Sequence, residues 1–389
     1  MSVVRAAASL GLAALSLASG AGRASAQDAP HRIPRRLLST AIGAGIGASL
    51  SLITRAGSGG NGVCSSGGCV TTVSTAAGAG IGYLVGSQQD RLNTLRYRGG
   101  QPLALRLTSA TIRGEGVALA ASDSLVAVGG SAGAELFRSG PGELRASGVR
   151  GATLRGIAAV ALAPDGAVAV GTIGGAYLYP PGTAPGALVL EQEVTAALSA
   201  AGRMYLATGG RIAVAPGAAD SVGSWPSVDV GVAVRGLAFD PVRSVLWAGT
   251  DSGIVAFAAR GDSLVRAGAV RTGAGVRRVS LYENRLAAAL GDSGVRLFDI
   301  ADAAAPRLVA GWTGERFAYD VSLVGGRLFV ASGLDGVTVL DATGSALRVR
   351  GIARDAGFAV ALASRAGYTY VLDRSRNAVR RFDSSSQIP

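Results

Sequence analysis

From about residue 100 onward, apolar and polar positions alternate in short runs, broken at regular places by Gly, Asp and Ser. The unit is clearest in Leu246-Trp247-Ala248-Gly249-Thr250-Asp251-Ser252-Gly253-Ile254-Val255-Ala256-Phe257, which reads as an apolar strand, a tight corner and a second strand. Asp can bond the backbone two residues on and Gly tolerates a positive φ, so Asp-Ser-Gly predicts a hairpin corner. The phrase returns at residues 289–298 around Gly291-Asp292-Ser293-Gly294, and at 331–340 around Gly333-Leu334-Asp335-Gly336. Fainter copies stand at 128–133 and 170–175.

The residues expected to end the second strand of each unit are Gly129, Gly171, Gly209, Gly249, Gly291, Gly333 and Asp373. They recur about every 40 residues, with two pairs of short strands per repeat, which predicts a propeller rather than a helical solenoid. The expected fold is all-β: a seven-bladed β-propeller over 99–389. Its last unit stops at Phe382-Asp383 after three strands. Residues 103–109, Leu-Ala-Leu-Arg-Leu-Thr-Ser, supply the missing fourth and remove an exposed sheet edge.

Upstream the pattern changes. Residues 1–26 combine Arg5, an apolar run and Ala24-Ser25-Ala26, the small residues of a signal-peptide cleavage site. Export is expected, with Gln27 as the mature start. Residues 27–98 hold two apolar segments: 37–53, with Gly43, Gly45 and Gly47, and 70–86, with Gly78, Gly80, Gly82 and Gly86. Small residues along one helical face let two backbones approach closely. The segment is similar to the glycine-zipper helical hairpins of bacterial envelope proteins. That resemblance implies membrane association through residues 37–86; packing of the hairpin on the protein itself is the other reading. Cys64 and Cys69, in the Gly/Ser loop between the segments, are expected to form a local disulfide in an oxidising compartment.

Two resemblances concern the repeats. Gly236-Leu237-Ala238-Phe239-Asp240-Pro241, followed by the stretch from Leu246 to Gly253, resembles a blade of the two-component-regulator propellers. The run from Gly294 through Phe298-Asp299-Ile300 to Pro306, followed by Ala318-Tyr319-Asp320-Val321, resembles the LVIVD repeat of secreted bacterial propellers. Both imply a binding or sensing module. Neither implies catalysis.

The net charge of +12 comes from Arg alone. Residues 1–98 carry nine Arg against Asp28 and Asp90, while the rest carry 28 Arg against 23 acids, so the repeats are only mildly basic. No Arg run with interleaved aromatics suggests a nucleic-acid face. The single His is His31, so the repeats contain no Ser-His-Asp or Cys-His machinery, and no cofactor is expected. Corner aspartates read as turn formers, and Asp299 and Asp341 as strand ends; Asp320 is the one carboxylate placed to face the channel. The remaining chemical reading is a hydrolase or lactonase-like propeller with a channel metal.

One further pattern recurs. Arg113, Arg155, Arg235, Arg277, Arg278, Arg316 and Arg354 stand just before or at the start of innermost strands, and only the third unit, with Gln192-Glu193, lacks one. In a four-stranded blade these connections share a face with the hairpin corners, around the channel mouth. Guanidinium groups there suit a carboxylate, a phosphate or an acidic protein. The competing account pairs each Arg with a nearby acid such as Glu115, Glu315, Asp355 or a corner aspartate. The expected function is non-catalytic: an exported propeller that binds an envelope protein or anionic ligand.

Overall fold

The computed structural model describes residues 102–385 apart from Thr183, Ala218, Glu315 and Arg316. The expected signal peptide, the glycine-rich hairpin with Cys64 and Cys69, and Arg316 of the arginine series lie outside those residues.

Among the described residues, twenty-eight strands, β1 (Thr108–Thr111) to β28 (Ala378–Asp383), form seven four-stranded antiparallel sheets. Six blades are built from consecutive strands. The seventh has the order β1-β28-β27-β26, with β26 at Ala359–Arg365 and β27 at Tyr368–Asp373. Innermost strands β2 (Gly116–Ala121), β6 (Ile157–Leu162), β10 (Ala196–Ala200), β14 (Val234–Asp240), β18 (Arg278–Tyr282), β22 (Asp320–Val324) and β26 line a central channel of ≈ 680 Å³.

Burial follows position in the blade. The second strand of blade four, β15 (Val245–Thr250), is buried along its whole length, because neighbouring blades cover both faces. The outermost strand of the same blade, β17 (Ser263–Arg271), alternates between exposed and half-buried positions. The core is accordingly divided into seven clusters, one at each seam between blades. Trp247 of blade four packs with Leu286 and Phe298 of blade five, and Phe329 meets Phe382 edge-on at 5.4 Å across the seam of blades six and seven.

The recurring glycine proves to be two glycines with different duties. In blades one and four it sits inside a buried strand: a Cβ on Gly129 would come within 2.5 Å of Val160, and one on Gly249 within 2.5 Å of Val276, both on the next blade. In blades five and six, Gly291 (φ +62°) and Gly333 (φ +59°) instead open the turn itself. The reading of Asp251 as the turn former is corrected. At that corner the Thr250 hydroxyl accepts from the N–H of Ser252 and Gly253 and donates to the Gly253 carbonyl, while Asp251 reaches across to Arg235. Asp299 and Asp341 do end third strands, β20 (Val295–Asp299) and β24 (Val337–Asp341).

Ring closure occurs, but of the expected residues 103–109 only Thr108 and Ser109 take part. The closing strand is β1, pairing Thr108 with Arg381 through Thr111 with Ala378. Residues 102–105 run instead along blade six: Pro102 bridges Ile352, Leu103 N–H donates to the Ile352 carbonyl, and Leu105 N–H donates to Asp355. Alternation alone does not distinguish these two neighbours, since both bury one face of the same segment.

Candidate functional site

Antiparallel strands reverse at each end, so the corner between second and third strands shares one face with the connection entering each inner strand. This upper face carries the arginine series. Among its described members, Arg235 makes a bidentate contact with Asp251, at 3.0 and 3.2 Å, and Arg354 lies 3.3 Å from Asp335. Arg277 lies with its guanidinium carbon 4.9 Å from the centroid of the Phe317 ring. Arg278 donates to the main-chain carbonyls of Arg235 at 2.6 Å and Arg277 at 2.9 Å. Arg155 folds back on the carbonyls of Ala152 and Leu154, and Arg113 is tied by its main-chain N–H to Glu135. Of the expected ring, Arg235, Arg277, Arg278 and Arg354 make side-chain contacts at blades four, five and seven, Arg155 folds on its own loop, and Arg113 is held by its main chain with its side chain exposed.

Pairing with acids holds for part of the series. The Arg235–Asp251 pair is about half-exposed on both sides, and its hydrogen bond holds the Arg235 guanidinium above its ordinary pKa. Exposed pairs of this kind contribute about 0–1 kcal/mol, so an external carboxylate can compete for them.

Aromatic side chains complete an arc with these arginines, and the sequence reading missed them. Phe317 and Tyr319 pack at a tilt with centroids 4.6 Å apart, and Tyr319 meets Phe358 edge-on at 5.8 Å. These rings lie over the corner glycines: a Cβ on Gly291 would come within 2.8 Å of Phe317, and one on Gly333 within 3.0 Å of Tyr319. The neighbouring corner residue Leu334 is 66% exposed. A signal was available, because Phe317 and Phe358 each stand one residue before the amide that anchors the inner strand (Ala318 on Gly291, Ala359 on Gly333). Ala233 and Gly275 hold that place in blades four and five.

Asp320 begins β22 beneath these rings. It is 7% exposed and accepts from its neighbour Val321 N–H at 2.7 Å and from Leu362 N–H of β26 at 2.9 Å. Burial pushes its pKa up from an ordinary 3.8 to about 6, against the pull of Arg278 and the two N–H donors. Ionising it opposes folding, so its contribution falls as pH rises from about 4 to about 6. Arg235, Arg278 and Asp320 are the charged residues lining the upper part of the channel. Asp123 and Arg365, paired at 2.7 Å, stand at the opposite mouth. Among the described residues no three His, Cys, Asp or Glu side chains come together as a metal cage.

No family model matches the chain, and no curated protein matches it in sequence. Solved propellers resemble it in shape. The WD40 repeats of RRP9 align with a TM-score of 0.60 at 13% identity, covering 73% of this chain and 99% of that one. The WD40 propeller of Doa1 aligns with a TM-score of 0.57 at 13% identity, over 74% of this chain and 99% of that one. A chain from the mitotic checkpoint complex aligns with a TM-score of 0.58 at 14% identity, over 72% and 95%. At such identities the likeness establishes the propeller fold alone.

Proposed function

We propose that this protein is a non-catalytic binding module whose upper face recognises an acidic segment of a protein partner. The observation that carries the reading is the arc of Arg235, Arg277, Arg278 and Arg354 interleaved with Phe317, Tyr319 and Phe358 around one channel mouth. Guanidinium groups bind carboxylates, and the adjacent rings offer apolar area for the residues between them. The WD40 propellers that it resembles commonly mediate protein binding, and one of them is part of a complex. The hydrolase reading has no comparable support, since Asp320 is committed to two main-chain N–H groups.

The test is a labelled hexa-aspartate peptide titrated against wild type and the Arg235→Ala/Arg277→Ala/Arg354→Ala variant. The variant should lose at least about tenfold in affinity, while its melting temperature moves only a few degrees, because each exposed pair is worth about 0–1 kcal/mol. Raising salt from about 50 to about 300 mM should weaken wild-type binding, as a shorter Debye length screens the contacts. Equal binding by the two proteins sinks the reading.

The address proposed for this module is the bacterial envelope, with residues 37–86 as its tether. The small residues before Gln27 motivate it. N-terminal sequencing of the exported protein should return Gln-Asp-Ala-Pro; an intact Met1 in the envelope fraction refutes export by cleavage.

A further inference from the structure

Consecutive repeats place opposite charges at one position. Arg278 stands opposite Ala289 at the start of β18, and Asp320 stands opposite Ala331 at the start of β22, so the two occupy equivalent sites in blades five and six. Both line the channel just inside its upper mouth. Among the described residues the Arg278 guanidinium meets only main-chain carbonyls, those of Arg235 and Arg277. Its charge acts on the buried Asp320 carboxyl from across the blade seam. One cation therefore serves an internal carboxylate and also faces the space where a ligand enters.

We propose that Arg278 is the seat of a carboxylate-binding site at the channel mouth, and that binding there is coupled to uptake of one proton by Asp320. This rests on the reading of the upper face as an anion-binding surface, and it adds the regulation of that surface. The physical cause is competition. A ligand carboxylate at Arg278 brings a second negative charge into a partly desolvated mouth, where screening by water is reduced. The ligand takes over the field of Arg278, and Asp320 keeps its burial without its compensating cation. Its neutral form is then favoured. A proton from solvent adds to the Asp320 carboxylate, so the ligand's negative charge and the proton's positive charge enter together.

The surroundings leave Asp320 as the group that titrates. From β18 the facing charge is Arg278. Next in line are Arg277, on Phe317, and Arg235, on Asp251, with Glu193 acting on Arg235 from a distance. From β26 Leu362 presents only its N–H, and Arg365 lies at the other mouth with Asp123. The Ser322–Ser364–Thr369 hydroxyl chain lies further down the channel and is uncharged. No histidine is present beyond His31.

The probe is methoxypyrene trisulfonate, a fluorescent aromatic anion whose charge stays constant over the range used. Wild-type affinity should fall by about sixfold between about pH 5.5 and about pH 7.5, the linkage expected if the probe raises the Asp320 pKa from about 6 by about one unit. Asp320→Asn should bind with a flat pH profile, and Arg278→Gln should lose binding. Should Asp320→Asn fail to fold, a carbon-13 titration of the wild-type Asp320 carboxyl decides: its apparent pKa should rise by about one unit with the probe present. A flat wild-type profile, an unchanged slope in Asp320→Asn, or a carboxyl pKa indifferent to the probe overturns the coupling while leaving the anion-binding face intact. If the probe binds both the triple Arg variant and Arg278→Gln as tightly as wild type, or binds nowhere, the reading of the face falls, and the coupling with it.

Discussion

A chain beginning at Ile112 should melt about 6–20 °C below one beginning at Gly99, although it lacks only the segment that leads into blade one. Strand β1 supplies the fourth strand of blade seven, and removing it exposes the edge of β28 from Ala378 to Arg381. The segment before it is also built in. Leu105 is 6% exposed in the cluster that holds Phe329 and Phe382, and Leu103 and Leu107 pack against that cluster. A fully buried Leu contributes about 1.5–3 kcal/mol, partly offset by the entropy of ordering the chain, for a net loss of about 3–5 kcal/mol. At roughly 2–4 °C per kcal/mol for a domain of this size, the shift is easily measured. Hydrogen exchange locates the damage: the amides of β28 should lose protection before those of blades two to five. A melting temperature unchanged by the truncation would mean that the ring does not depend on this closure.

Asp373→Ala is expected to cost nearly as much from a single side chain. Its carboxylate has no exposed surface and accepts from Phe358 N–H at 3.0 Å, Ser375 N–H at 3.1 Å and the Ser375 hydroxyl at 2.6 Å, with Arg376 at 3.1 Å. Burial pushes its pKa up, yet the Ser375 hydroxyl, Arg376 and the Phe358 N–H outweigh that and hold it below the ordinary carboxylate value. A depressed carboxyl contributes stability at neutral pH that is lost as the solution is acidified. The backbone is shaped around it: Gly357 has φ +81°, and a Cβ there would come within 2.1 Å of the carboxylate. Truncation leaves two main-chain donors unsatisfied at about 1–3 kcal/mol each, for a total of about 3–5 kcal/mol. Asp373→Asn, which keeps an acceptor but not the charge, should lose roughly half as much. Asp262→Ala, which breaks an exposed pair with Arg203, is the control and should lose under about 1 kcal/mol. If urea unfolding shows Asp373→Ala no less stable than this control, the carboxylate is not the anchor described. The same change releases Phe358, so it should also loosen the aromatic run and weaken peptide binding.

Asp373 illustrates how far the repeat was legible. It marks the end of the second strand of the seventh unit, and the structure places it there, opposite Ala359. Thr250, opposite Val234, holds the equivalent place in blade four and caps its corner with a hydroxyl. A position that reads as a repeat marker is thus a capping site filled by different chemistry. The arginine series was legible as a recurrence and only partly as a site. Arg235 and Arg354 meet the corner acids Asp251 and Asp335, whereas Arg277 meets a ring. Phe317 and Phe358 passed unnoticed because an aromatic residue beside an apolar strand reads as ordinary core.

By itself the sequence determined the all-β class, the four-strand period, the seven blades and the need for a closing strand from the other end of the domain. These follow from features a few residues wide: the two-residue alternation of a strand and the turn chemistry of Gly, Asp and Ser. Tertiary structure alone decided that the closing strand begins at Thr108, that Gly249 must yield space to Val276, and that Arg278 and Asp320 share one channel mouth. Each of these joins residues brought together only when blades pack or the ring closes, as Leu362 N–H does in reaching Asp320 from 42 positions away. Local pattern sets the strands, but the distance between blades decides which side chains meet.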